Sequence, residues 1–169
     1  MESIASIVVL ALSMTLPPFI SQNVGANRFD RVHSAYMVSL KFVLFWQLFV
    51  FVVMWVCSGW IAVAFTSEPE VSRLIQLFLM IVPLGYGMQG LIILTNSSLN
   101  AMHRPLSALA LSVIRLFVFF VPISIAGSYF FGLTGLYWGT VVANIAMATV
   151  SFVVFKNSLS IFKQEQHAT

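Results

Sequence analysis

Residues 35–65 read "AYMVSLKFVLFWQLFVFVVMWVCSGWIAVAF". The run carries one charged side chain, Lys41, close to its start. A helix needs about 20 apolar residues to cross a bilayer. This run is longer, which predicts either tilt or a helical extension into the interface. Four further runs flank it. With these boundaries the spans are about 3–21, 35–65, 72–99, 106–130 and 133–155, followed by a polar tail at 156–169. Barrel strands would alternate in polarity over about ten residues, whereas these runs are continuous. The fold class expected is an all-α, polytopic integral membrane protein with five transmembrane helices.

Composition leads to the same class. Of 169 residues, 60% are hydrophobic and 8% charged, with sixteen Phe, and the mean hydropathy is +0.98. Soluble domains carry about 25% charged residues, so this chain lacks the charge to cover a watery surface. The formal net charge of +3 does not imply nucleic acid, because the basic residues stand singly between apolar runs. Their placement reports topology. Arg28 and Arg31 follow the first span, His103 and Arg104 the third, and Lys156 and Lys163 the fifth. The opposite side has Arg73 beside Glu68 and Glu70. The positive-inside rule therefore puts the C-terminus in the cytoplasm of an inner-membrane protein and residue 1 outside. The single cysteine, Cys57, lies inside an apolar run and reads as a small membrane-buried side chain.

Polar residues inside such runs are the candidates for function. "PPFISQNVGANRFDRV", residues 17–32, closes the first span. Pro17 and Pro18 remove backbone donors and bend the helix end. Gln22 and Asn23 then bond freed carbonyls or line a cavity. Gly25 and Ala26 permit close helix approach or a tight turn. An ordinary helix end with cationic anchors explains the same residues. Arg115 lies about nine residues into the fourth span, roughly 14 Å deep at 1.5 Å per residue. It reads either as a cavity residue or as a structural arginine on helix-end carbonyls. Gln89, Asn96 and Asn100 are spaced by seven and four, which places them on one helical face. That stripe faces a substrate or bonds neighbouring helices. Asn144 is a weaker candidate of the same kind. Pro83 with Gly85 and Gly87, and Pro122, should loosen the third and fourth spans.

The order of these residues resembles the MATE family (multidrug and toxic compound extrusion transporters). A Q-N-x-G-A-x-R/K segment there follows the second helix of each six-helix half, and Gln22, Asn23, Gly25, Ala26 and Arg28 match it, with Pro18 at a position where the family often has proline. "GLIILTNSSLNAMHRP", "IRLFVFFVPISI" and "GLTGLYWGTVVANI" resemble the family's tenth helix, eleventh helix and the turn into the twelfth. The resemblance implies helices eight to twelve, part of one bundle of a twelve-helix transporter. The implied activity is efflux of small amphipathic or organic cationic substrates, such as drugs and other xenobiotics, by antiport of Na+ or H+. The implied partners are membrane lipid and an N-terminal bundle. This chain would be incomplete alone. Some family members carry an acidic cation-binding residue near the position of Gln89. Its absence here implies that the coupling ion is held by the other half.

No catalytic residue, metal site or cofactor is expected. The sequence has no GxxxxGK[ST] loop, no HExxH and no cysteine pair. Two alternatives remain from sequence: part of a lipid-linked-precursor flippase of the same superfamily, which would carry more cavity cations, and a stand-alone membrane assembly subunit.

Overall fold

A computed structural model describes residues 2–168. The expected outside position of residue 1 and the end of the tail at Thr169 lie outside the described residues. The chain is α1 (Glu2–Gly25), α2 (Phe29–Phe65), α3 (Pro69–Ile81), a 3-10 turn (Val82–Gly85), α4 (Tyr86–Ala101), α5 (Pro105–Ile114), a π turn (Arg115–Phe120) and α6 (Val121–Ala168).

The amphipathicity of α2 is inside out. Phe42, Phe45, Phe49, Val56, Trp60 and Val63 recur at helical spacing and are all more than half exposed, Trp60 at 86%. The opposite stripe is buried and includes Tyr36, Gln47 and Ser58. A water-soluble fold does not present such a stripe to its solvent, but bilayer hydrocarbon accepts it and leaves the polar side chains to bond between helices.

The centre is α4, which packs against α1, α2, α5 and α6. The span Pro69–Ala101 is 56% buried over its apolar window, against 17–22% for the others. Gly90 admits this crowding, since a Cβ there would stand 2.6 Å from Val43 and 3.3 Å from Val9. Around it Ile92, Leu94, Leu99, Met147 and Phe155 form the core. Tyr36 crosses that core. Its hydroxyl shares a 2.8 Å hydrogen bond with Thr95, and its ring stacks on Phe155 with centroids 3.7 Å apart.

The expected count of five helices is corrected to four long apolar ones among the described residues: Ser6–Gly25, Phe29–Phe65, Pro69–Ala101 and Pro105–Phe162. The fourth is too long for one crossing at 1.5 Å per residue. It doubles back at Gly132, whose φ of 61° and ψ of −142° are non-helical and belong to a region essentially restricted to glycine. The two limbs, 121–131 and 133–168, therefore meet with no loop between them. A Cβ on Gly127 would collide with the carbonyl of Gly135, and one on Gly139 would lie 3.0 Å from the carbonyl of Ile123.

Two helix ends share one geometry. After α1, Arg28 N–H donates to the Asn23 carbonyl at 2.8 Å and Asn27 N–H to Val24 at 3.0 Å. After α4, Arg104 N–H donates to Leu99 at 3.0 Å and His103 N–H to Asn100 at 3.2 Å. These pairs are the six-to-one and five-to-two bonds of a Schellman cap. Asn27 and His103 take the left-handed position, with φ of 56° and 57°. Of the close approach or tight turn expected of Gly25 and Ala26, the turn forms at Ala26 and Asn27, while Gly25 ends α1 and a Cβ there would meet nothing within 4 Å. Asparagine tolerates the left-handed region well enough to take that place.

Candidate functional site

The sequence puts a proline near the middle of each of two neighbouring spans. Proline lacks the N–H and displaces the carbonyl four residues earlier. Around Pro83 the chain tightens into the 3-10 turn; ahead of Pro122 it widens into the π turn. Both irregular segments border the same cavity, of about 410 Å³, through Val82 on one side and Arg115 and Phe120 on the other. Wide turns of this kind recur at functional sites.

The second limb of α6 supplies the remaining wall with Tyr137, Thr140 and Asn144, spaced by three and four so that they share a face. Tyr86 and Gln89 face them from α4. Phe78 meets Tyr137 edge-on, with ring centres 5.5 Å apart. Gly85 lets the limb come close, since a Cβ there would lie 3.2 Å from the amide nitrogen of Asn144. Arg115 is the one ionised residue of this lining. It also borders a second space, of about 310 Å³, with Ser112, Leu116 and Phe120.

The structure thus brings Gln89, Arg115 and Asn144 together. Asn96 is not in the lining. Its amide nitrogen donates to the Ser112 hydroxyl at 3.1 Å, which ties α4 to α5 at the rim of the second space. Asn100 is exposed at the far end of α4. The three amides lie along one helical face, but the cavity is shorter than that face. Tyr86, Tyr137 and Thr140 were missed by the sequence reading. The three-and-four spacing of Tyr137, Thr140 and Asn144 was the available signal.

The 17–32 motif lies elsewhere. Pro17 and Pro18 sit inside α1, which continues to Gly25. Asn23 is buried and donates to the Phe19 carbonyl at 2.8 Å, while Pro18, Gln22, Ala26 and Arg28 are exposed. Its role here is to cap α1 and launch α2. Among the described residues, no group of three or more His, Cys, Asp or Glu gathers to hold a metal. A guanidinium in a cleft of low dielectric favours an anion, above all a phosphate that accepts two parallel hydrogen bonds. The aromatic walls suit a ring system beside it.

Comparison with known proteins gives one family match and three similar proteins. The family model MatE matches residues 1–126. A Shewanella oneidensis protein named FAD transporter is 34% identical over 152 residues, covering 90% of this chain and 34% of the relative. The Vibrio cholerae MATE transporter VcmN in its bent form superposes with a TM-score of 0.90 at 32% identity, over 96% of this chain and 38% of VcmN. A multidrug resistance MATE family transporter, 18% identical, superposes in its inward-facing form with a TM-score of 0.89, covering 96% of this chain and 38% of that one, and in its outward-facing form with 0.88, covering 95% and 36%. The chain spans about a third of the length of these relatives.

Proposed function

The chain belongs to the MatE family of membrane transporters, and from that premise we propose that it supplies one wall of the substrate cavity of a secondary transporter for an anionic, ring-bearing compound of the flavin dinucleotide kind. The observation that carries this reading is Arg115, the single ionised group of a cavity otherwise lined by amides, hydroxyls, aromatic rings and the aliphatic side chains of Val82 and Leu136. The name of the Shewanella relative supports it. Efflux of organic cations, the expectation drawn from the resemblance, fits this wall less well, because a cation would face a guanidinium with no carboxylate in the lining.

Transport would use the remaining two thirds of a relative's length, the opposing bundle included. It would be driven by Na+ or H+ bound to a carboxylate there. The similar fit to inward- and outward-facing structures supports motion of this segment as a unit about the cavity. The cationic turns would face the cytoplasm of an inner-membrane protein.

A chimera in which this chain replaces the matching third of the Shewanella relative tests the reading. Everted vesicles holding it should accumulate FAD, and Arg115→Gln should reduce that uptake by about tenfold, the loss expected for one charged hydrogen-bonding partner. Uptake of lipophilic cationic dyes without FAD would return the assignment to organic cations.

A further inference from the structure

A third concavity lies on the outer face, between α1 and α2, far from Arg115 in the chain. It measures about 540 Å³. Leu12, Leu16 and Phe19 form one wall and Ala35 and Val38 the other, with Arg31 and Ser34 also in the lining. Phe19 and Val38 are 43% and 67% exposed, so the groove opens to whatever surrounds the helices. The α2 wall recedes because its residues there are small: Ser34, Ala35 and Ser39.

Arg31 is exposed and stands in the first turn of α2, beside the cap at Asn27. It therefore marks the polar end of the groove. Val38 lies seven residues further along, about 10 Å at the helical rise. The apolar wall thus runs inward from a cation at the membrane interface. No Asp or Glu lines the groove, and Asp30, the preceding residue, is not part of it.

We propose that this groove holds one glycerophospholipid with an anionic headgroup. The phosphate sits on Arg31 with the Ser34 hydroxyl donating beside it, and an acyl chain lies along Leu12, Leu16 and Val38. The charge of the polar end and the apolar length behind it match the two parts of that one molecule. Basic niches between membrane helices at the headgroup level hold anionic lipids by the same contacts. A free phosphate would use Arg31 and leave the apolar walls without a partner. The assignment is independent of the transported substrate.

The test uses the chain in nanodiscs of phosphatidylcholine with a minor fraction of phosphatidylglycerol carrying a diazirine in its acyl chain. After illumination, adducts are mapped by peptide mass spectrometry. Adducts should concentrate on residues 12–19 and 34–39. Arg31→Gln should lower them about fivefold, the effect of one basic residue at the membrane surface. Arg31→Lys should retain most of them, and Arg28→Gln should change nothing. Adducts on Phe45 and Phe49 should hold their level throughout, which reports an intact fold. Even labelling of the whole exposed face, an unchanged Arg31→Gln pattern, or displacement by millimolar inorganic phosphate would each overturn the proposal. So would loss of the groove adducts when the opposing bundle is present, since the groove would then be covered by protein.

Discussion

The guanidinium carbon of Arg104 lies 4.9 Å from the centre of the Phe162 ring. The same ring stacks with Phe29 at 5.9 Å. One aromatic side chain near the end of α6 thus touches both of the repeated helix caps, one through Phe29 after Asn27 and the other through Arg104 after His103. Leu159 and Phe155, buried on the same limb, extend the contact into the core.

Phe162→Ala should therefore loosen two turns that are remote in sequence. A cation–π contact and an aromatic pair together are worth about 2 kcal/mol. Limited proteolysis should show faster cleavage at both 26–28 and 102–104. Phe162→Leu should keep part of the packing and lose the cation contact.

The Tyr36 site separates a hydrogen bond from a ring. Tyr36→Phe removes the hydroxyl from Thr95, which still donates to the Leu91 carbonyl at 2.9 Å. Hydrogen bonds between membrane helices average about 0.6 kcal/mol, so unfolding in mixed micelles should shift by about that much. Tyr36→Ala also empties the space against Phe155 and should cost about 3–5 kcal/mol.

The hairpin at Gly132 makes a graded prediction. Gly132→Ala meets no atom within 4 Å, yet its backbone is strained for any residue with a Cβ, at about 1–3 kcal/mol. Gly127→Ala places a methyl into the Gly135 carbonyl and should separate the limbs. Unfolding in mixed micelles should therefore shift further for Gly127→Ala than for Gly132→Ala.

Sidedness follows from the same contacts. In a Cys57→Ser background, cysteines at Asn27 and His103 should react with an impermeant maleimide from one face of the membrane. Cysteines at Ser67 and Gly132 should react from the other. Labelling of Asn27 and His103 from opposite faces would contradict the shared contact with Phe162.

The membrane class was legible because burial in lipid requires nothing beyond apolar length, which composition states directly. Two features were not legible. A glycine that reverses a helix within one residue looks, in a string of letters, like a glycine that packs, and the loop expected between 130 and 133 contracted to Gly132 alone. The left-handed position fell to Asn27 rather than Gly25 because the cap's hydrogen bonds set the register, and those depend on where the neighbouring helix begins. In the cavity, Arg115 stood out by its depth, and Gln89 and Asn144 by being amides in apolar runs. Asn96 had the right face at the wrong height, which helical periodicity alone does not report.

The contacts of Phe155 and Phe162 with Tyr36 and Phe29 join segments that lie far apart in the sequence. Helices enter a bilayer in the order in which they are made. The inward face of α2 is therefore made before the segment that seals it, which comes much later in the sequence. Until then Tyr36 and its neighbours have lipid or a transient companion against them. A ribosome stalled before residue 155 would hold a chain in which Tyr36 still lacks its stacking partner, so this latch closes only once the second limb of α6 has been made.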